Sequence, residues 1–74
     1  MRKNIDMIVK MTAQGKILPC KIIWHDGTSY EIDKITDIRN AASLKAGGCG
    51  VRYTCSIGGQ VRYIYLDNGI WFIE

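Results

Sequence analysis

Apolar and polar residues alternate with a period of two along much of the chain. Between residues 5 and 13 the odd positions Ile5, Met7, Val9, Met11 and Ala13 are apolar, with Asp6, Lys10 and Thr12 between them. Between residues 17 and 25 the even positions Leu18, Cys20, Ile22 and Trp24 form one row, and Pro19, Lys21 and His25 fall in the other. A period of two is the side-chain repeat of a strand with one buried face. Further strand-like runs cover residues 28–35, 50–57, 60–66 and 70–74. Gln14-Gly15, Asp26-Gly27, Gly58-Gly59 and Asn68-Gly69 separate runs rich in Ile, Val, Tyr and Trp. Such X-Gly pairs mark hairpin turns, so the pattern predicts an antiparallel, all-β chain.

Parity sets the expected loop lengths, because a shift of one residue moves a whole row to the other face. A two-residue Gln14-Gly15 loop pairs Met11 with Leu18 and Val9 with Cys20, which joins two apolar rows. In the second hairpin a three-residue loop, His25-Asp26-Gly27, pairs Trp24 with Thr28, Ile22 with Tyr30 and Cys20 with Ile32. A three-residue Asp67-Asn68-Gly69 loop sets Tyr65 against Trp71 and Tyr63 against Ile73. A three-residue loop around Gly58-Gly59 keeps Val51, Tyr53, Cys55, Val61, Tyr63 and Tyr65 on one side. On this reading Tyr53, Tyr63, Tyr65 and Trp71 belong to the core.

Residues 33–49 carry two patterns. Ile35, Ile38 and Ala42 have the spacing of a helix face, with Gly47 as its stop. Ile32, Ile35 and Ile38 also suit a strand that passes through a bulge. The second is favoured: a strand to about Arg39, then a turn or short helical turn at residues 41–44, then a Gly47-Gly48-Cys49-Gly50 loop. Five to six short strands in so small a chain would leave one sheet face wet unless the sheet closes on itself. The expected fold is a small antiparallel barrel of SH3-like type. The alternative is an OB-like barrel with a short helix around residues 35–46.

Length and composition narrow the class. Seventy-four residues hold one domain, residues 1–74. With 47% hydrophobic and 23% charged residues, the chain is ordinary for a globular protein and unlike a disordered one. The apolar stretch Ile70–Ile73 falls far short of the roughly 18 residues of a membrane span. Arg2 and Lys3 open the chain, but Asp6 and Lys10 interrupt any apolar signal region. A cytoplasmic location with no membrane partner is expected. Three cysteines cannot close a disulfide framework, so free thiols are expected.

Little of the side-chain chemistry suggests catalysis. Cys20, His25, Cys49 and Cys55 could in principle hold zinc, but no pair has Cys-x2-Cys spacing, and no metal or other cofactor is expected. His25 is the single histidine and has no sequence-evident route to Cys49. No carboxylate pair suggests general acid–base work. The expectation is a chain that is not an enzyme. The formal charge of +3 is mildly basic. In Lys45-Ala46-Gly47-Gly48-Cys49-Gly50-Val51-Arg52, successive glycines could let backbone N–H groups converge on an anion, although the P-loop pattern is missing. Arg39, Lys45, Arg52 and Arg62 are the candidate contacts to nucleic acid or another polyanion. Ile64, Leu66, Ile70 and Phe72 form a second apolar row on the last hairpin, outside the expected core. That row suits intramolecular cover, or an interface with a protein partner or a second copy in a homodimer.

Trp24-His25-Asp26-Gly27-Thr28-Ser29-Tyr30, the segment from Lys45 to Tyr53 and the ending Trp71-Phe72-Ile73-Glu74 resemble small uncharacterised bacterial β-barrel proteins of Firmicute type. The resemblance covers most of the chain after Ile17. It implies a cytosolic β-rich domain and transfers no catalytic residue. The expected function is a binding module for nucleic acid or another polyanion; the alternative is a protein-interaction or homo-oligomerisation module.

Overall fold

Seven strands form in the computed structural model, which describes residues 2–42 and 49–74. They are β1 (Lys3–Met11), β2 (Ile17–Ile23), β3 (Ser29–Glu31), β4 (Lys34–Ala42), β5 (Cys49–Ile57), β6 (Gln60–Asp67) and β7 (Ile70–Ile73). All pairings are antiparallel, in the order β3-β2-β1-β7-β6-β5-β4. The two ends of the chain therefore lie side by side in the middle of the sheet. The sheet curls into an open half-barrel, not the closed barrel of five to six strands expected from the sequence.

The curl is held where the chain crosses from one edge strand to the other. Ile32 N–H donates to the Cys20 carbonyl on β2 at 3.0 Å, and the next amide, Asp33 N–H, donates to Ser56 on β5 at 2.9 Å. Asp33 also accepts from Gly58 N–H through its carboxylate at 2.9 Å. Two adjacent residues thus tie opposite edges of the sheet, and the continuous strand expected over residues 28–39 is split there. β4 occupies residues 34–42, so no helix forms over that part of the 35–46 alternative. Residues 43–48, with Lys45, Gly47 and Gly48, lie outside the described residues.

Loop lengths depart from expectation in three of the four hairpins marked by X-Gly pairs. The His25-Asp26-Gly27 loop has the three residues expected: Trp24 N–H donates to Thr28 O and Gly27 N–H to Trp24 O. The first hairpin has the same geometry, with Thr12 N–H donating to Lys16 O and Gly15 N–H to Thr12 O. Met11 therefore faces Ile17 instead of Leu18, and Val9 faces Pro19 instead of Cys20. Between Ile8 and Val9 the register slips, because Lys21 pairs with Ile8 and leaves Cys20 as the extra residue of a bulge. Side-chain parity reverses across it: Pro19 is buried, Cys20 is exposed, and Ile17 packs on the core. A proline inside a strand is itself a bulge signal, since it has no N–H for the ladder.

The last two hairpins have two-residue loops instead of three. Gly58 and Gly59 have φ of 57° and 81°, and Asn68 and Gly69 have 53° and 79°. Positive φ at both central residues defines the type I′ turn, whose twist matches that of paired strands. Ile57 consequently pairs with Gln60, and Asp67 with Ile70. Tyr53 faces Ile64, Val51 faces Leu66, and Leu66 faces Trp71. The concave core is built from Ile22, Tyr53, Cys55, Ile64 and Trp71, with Ile5, Ile17, Trp24, Ile35 and Leu66 packed around them. Tyr63 and Tyr65, expected inside, lie on the outer face. Near the start of β5 the chain comes so close to β6 that a Cβ on Gly50 would meet the Leu66 carbonyl oxygen at 2.6 Å.

Candidate functional site

The outer face of β4–β7 carries a row of side chains that runs across the strands. Pairing places Asn4 beside Phe72, Phe72 beside Tyr65, Tyr65 beside Arg52 and Arg52 beside Arg39. Paired residues in antiparallel strands project to the same side of the sheet. Phe72 is only 1% exposed although it lies outside the main core. The Arg2 guanidinium sits 3.9 Å from its ring centroid, and Tyr65 stacks on it at 5.3 Å with planes 10° apart. Partial burial, followed by the nearby Glu74 carboxylate, raises the Tyr65 phenol above its ordinary pKa.

Beyond Tyr65 the row becomes cationic. Arg52 is half-buried, its guanidinium 5.2 Å from the centre of the exposed Tyr63 ring. Its Nε is buried without a hydrogen-bond partner. Arg39 lies directly across the ladder and donates through Nε to Asp37 Oδ2 at 2.7 Å. Like charges directly opposite each other in a sheet are destabilising, and Asp37 offsets only the outer member of this pair.

The sequence-derived basic set is thus divided. Arg39 and Arg52 meet on the outer face. Arg62 pairs with Cys55 and projects to the concave side, where its Nη2 donates to Gln60 Oε1 at 2.6 Å. Lys45 lies outside the described residues. Sequence parity missed Tyr63 as a neighbour of Arg52, because the three-residue loop assigned at Gly58-Gly59 put it in the core. The Asn-Gly and Gly-Gly pairs, read as two-residue turns, would have placed it correctly.

The apolar row expected on the last hairpin is not one surface. Ile64 is fully buried and Leu66 lies beside it on the concave face, whereas Phe72 and Ile70 belong to the outer face. Of the four, Ile70 alone is classed as exposed. The type I′ turns are the physical reason, since each shifts one arm of its hairpin by a residue relative to the expected pairing.

Cys55 is buried, and burial pushes its pKa up to about 11, away from the thiolate. Cys20 is exposed on the bulge. His25 lies at a turn, its ring 5.2 Å from that of Trp24. The neighbouring Asp26 carboxylate accepts from Thr28 N–H at 2.8 Å, which lowers its pKa. No group of three or more His, Cys, Asp or Glu among the described residues is arranged to hold a metal. No helix among them is long and apolar enough to cross a membrane. Comparison with protein-family models, curated proteins and solved structures finds no match.

Proposed function

We propose that the outer face of β4–β7 binds the backbone of a single-stranded nucleic acid, with Arg39 and Arg52 contacting phosphates and Tyr63 stacking on a base. The observation that carries this reading is the opposed Arg39–Arg52 pair with the unbonded Arg52 Nε beside an exposed tyrosine. A phosphate between the two guanidiniums relieves their repulsion and accepts charge-assisted hydrogen bonds. Aromatic rings beside cations are the usual platform for single strands, and they read sequence poorly. Asp37 neutralises part of the charge, so the affinity is weak. An SH3-like relationship belongs to the same proposal, supported by the small all-β frame whose edges are joined through residues 32 and 33.

Fluorescence anisotropy with labelled oligothymidylate at low salt tests this reading. Two phosphate contacts should give a log–log salt slope of about −1.4. Tyr63→Ala should weaken binding by about 1–3 kcal/mol. Absence of binding at low salt, or binding unchanged in an Arg39→Glu/Arg52→Glu double variant, defeats the proposal.

A further inference from the structure

The β1–β2 hairpin projects beyond the strand on its other side. β1 pairs with β2 as far as Met11, but its ladder with β7 stops at Ile5 opposite Trp71. The register brings Ile70 next, opposite Asp6, and there the Asn68-Gly69 turn carries the chain away toward β6. An internal turn thus opens this edge, and residues 7–11 have no second strand beside them among the described residues. Thr12 N–H donates across the hairpin to Lys16 O. The extra residue of the bulge is on β2, so β1 itself alternates without a break. Its even-numbered residues therefore turn their N–H and C=O groups toward β2, and Met7, Val9 and Met11 turn theirs to the free side.

This edge is unguarded. β4, at the end of the strand order, carries a bulge at Thr36 and the charged side chains Lys34, Asp37 and Arg39. Bulges and charges are common means of keeping an edge from pairing. The β1 edge, Met7-Ile8-Val9-Lys10-Met11, has one charge. Ile8, Val9 and Met11 are 51%, 40% and 67% exposed.

We propose that residues 7–11 pair antiparallel with the same residues of a second copy of the chain, about a two-fold axis at Val9. Three two-fold registers bring the outward groups together, and the side chains select one. An axis at Ile8 would set Lys10 of the second copy opposite Asp6, where Ile70 already stands. An axis at Lys10 would oppose two lysines, and like charges directly opposite are destabilising. With the axis at Val9, Val9 faces Val9, Met7 faces Met11 and Ile8 faces Lys10. All three outward-facing residues are used, and no two charges are directly opposed. Met11 of the second copy then reaches a depression of about 510 Å³ bordered by Met7, Val9 and Ile70, and its chain enters its own turn there. So short a ladder gives a weak, reversible dimer.

Sedimentation of the full chain from about 5 to 500 μM should show a monomer–dimer equilibrium with a dissociation constant on the order of 100 μM. Amide exchange at Met7, Val9 and Met11 should slow as concentration rises. Ile8→Lys sets the new side chain opposite Lys10 of the other copy, twice per dimer, and should weaken association about tenfold or more. Adding Lys10→Glu to Ile8→Lys turns both contacts into opposite-charge pairs and should restore it. Circular dichroism of the dilute variants checks that each folds. Arg39→Glu/Arg52→Glu should leave dimerisation unchanged, so this proposal and the nucleic-acid reading can fail separately. Three results overturn the inference. One is a monomer throughout the range, which leaves the edge to a different partner. Another is a dimer indifferent to Ile8→Lys or not restored by the double variant. The third is protection of the Met7, Val9 and Met11 amides already complete in the dilute monomer, which would mean that the edge is covered within the chain.

Discussion

The two faces of the β5–β6–β7 sheet bury aromatic and aliphatic groups by different means. On the concave face Tyr53, Cys55, Ile64 and Trp71 pack together, and the curl of the sheet brings Ile22 and Ile17 over them. The Tyr53 hydroxyl donates to the Ile17 carbonyl at 2.6 Å, which satisfies the one polar group buried with the ring. Among the described residues, the outer face has no second layer. Phe72 is sealed by the Arg2 guanidinium and by the Tyr65 ring. A short chain can thus bury a residue on both sides of one sheet, but only the concave side gains a layer of packed hydrocarbon. The outer side is left with the aromatic and cationic groups that make it the candidate binding face.

This contrast can be broken most directly in the core. Ile64→Ala is expected to lose about 4 kcal/mol, because its site is enclosed and cannot collapse. Phe72→Ala should lose about 3 kcal/mol, the low end for a buried phenylalanine, since Arg2 and Tyr65 can settle into the gap. Urea denaturation of both variants measures the order, and a larger loss for Phe72→Ala reverses the contrast.

The next effect depends on pH. Cys55 titrates near 11 in the fold against 9.0 for an unburied thiol. Its raised pKa contributes stability that is complete below about pH 9 and is lost as pH rises toward 11, because the unfolded thiol ionises first. Relative to Cys55→Ala, the wild type should lose about 2–3 kcal/mol across that window. Parallel pH dependence in the two proteins would show that the concave face admits water.

The smallest effect belongs to the outer face. Arg2→Ala should cost about 1 kcal/mol through the lost cation–π contact, and Arg2→Lys should recover part of it. A change within about 0.3 kcal/mol would mean that Phe72 is sealed by Tyr65 alone.

Much of the fold was legible in the residues. Alternation identified the strands, and the X-Gly pairs located four hairpin turns, while the β4–β5 connection lies outside the described residues. The His25-Asp26-Gly27 loop was assigned its true length because only three residues put Ile22 opposite Tyr30. The same parity logic failed at Gly58-Gly59 and Asn68-Gly69. β6, the arm these two hairpins share, and β7 carry apolar residues in both rows, so either register gave a plausible greasy face. The candidate site suffered directly: Arg39 and Arg52 were named, but Tyr63 was placed inside and Arg62 was grouped with cations it does not meet.

The chain's own chemistry determined that it would form short antiparallel strands, since period-two alternation and glycine turns act locally. Which face of each strand points inward was decided only in the folded sheet. Positive φ at two consecutive turn positions in each of two hairpins, and the residues left unpaired at Cys20 and Thr36, each shift or reverse side-chain parity. The free energy that selects among those registers comes from packing distant strands together, and no local pattern contains it.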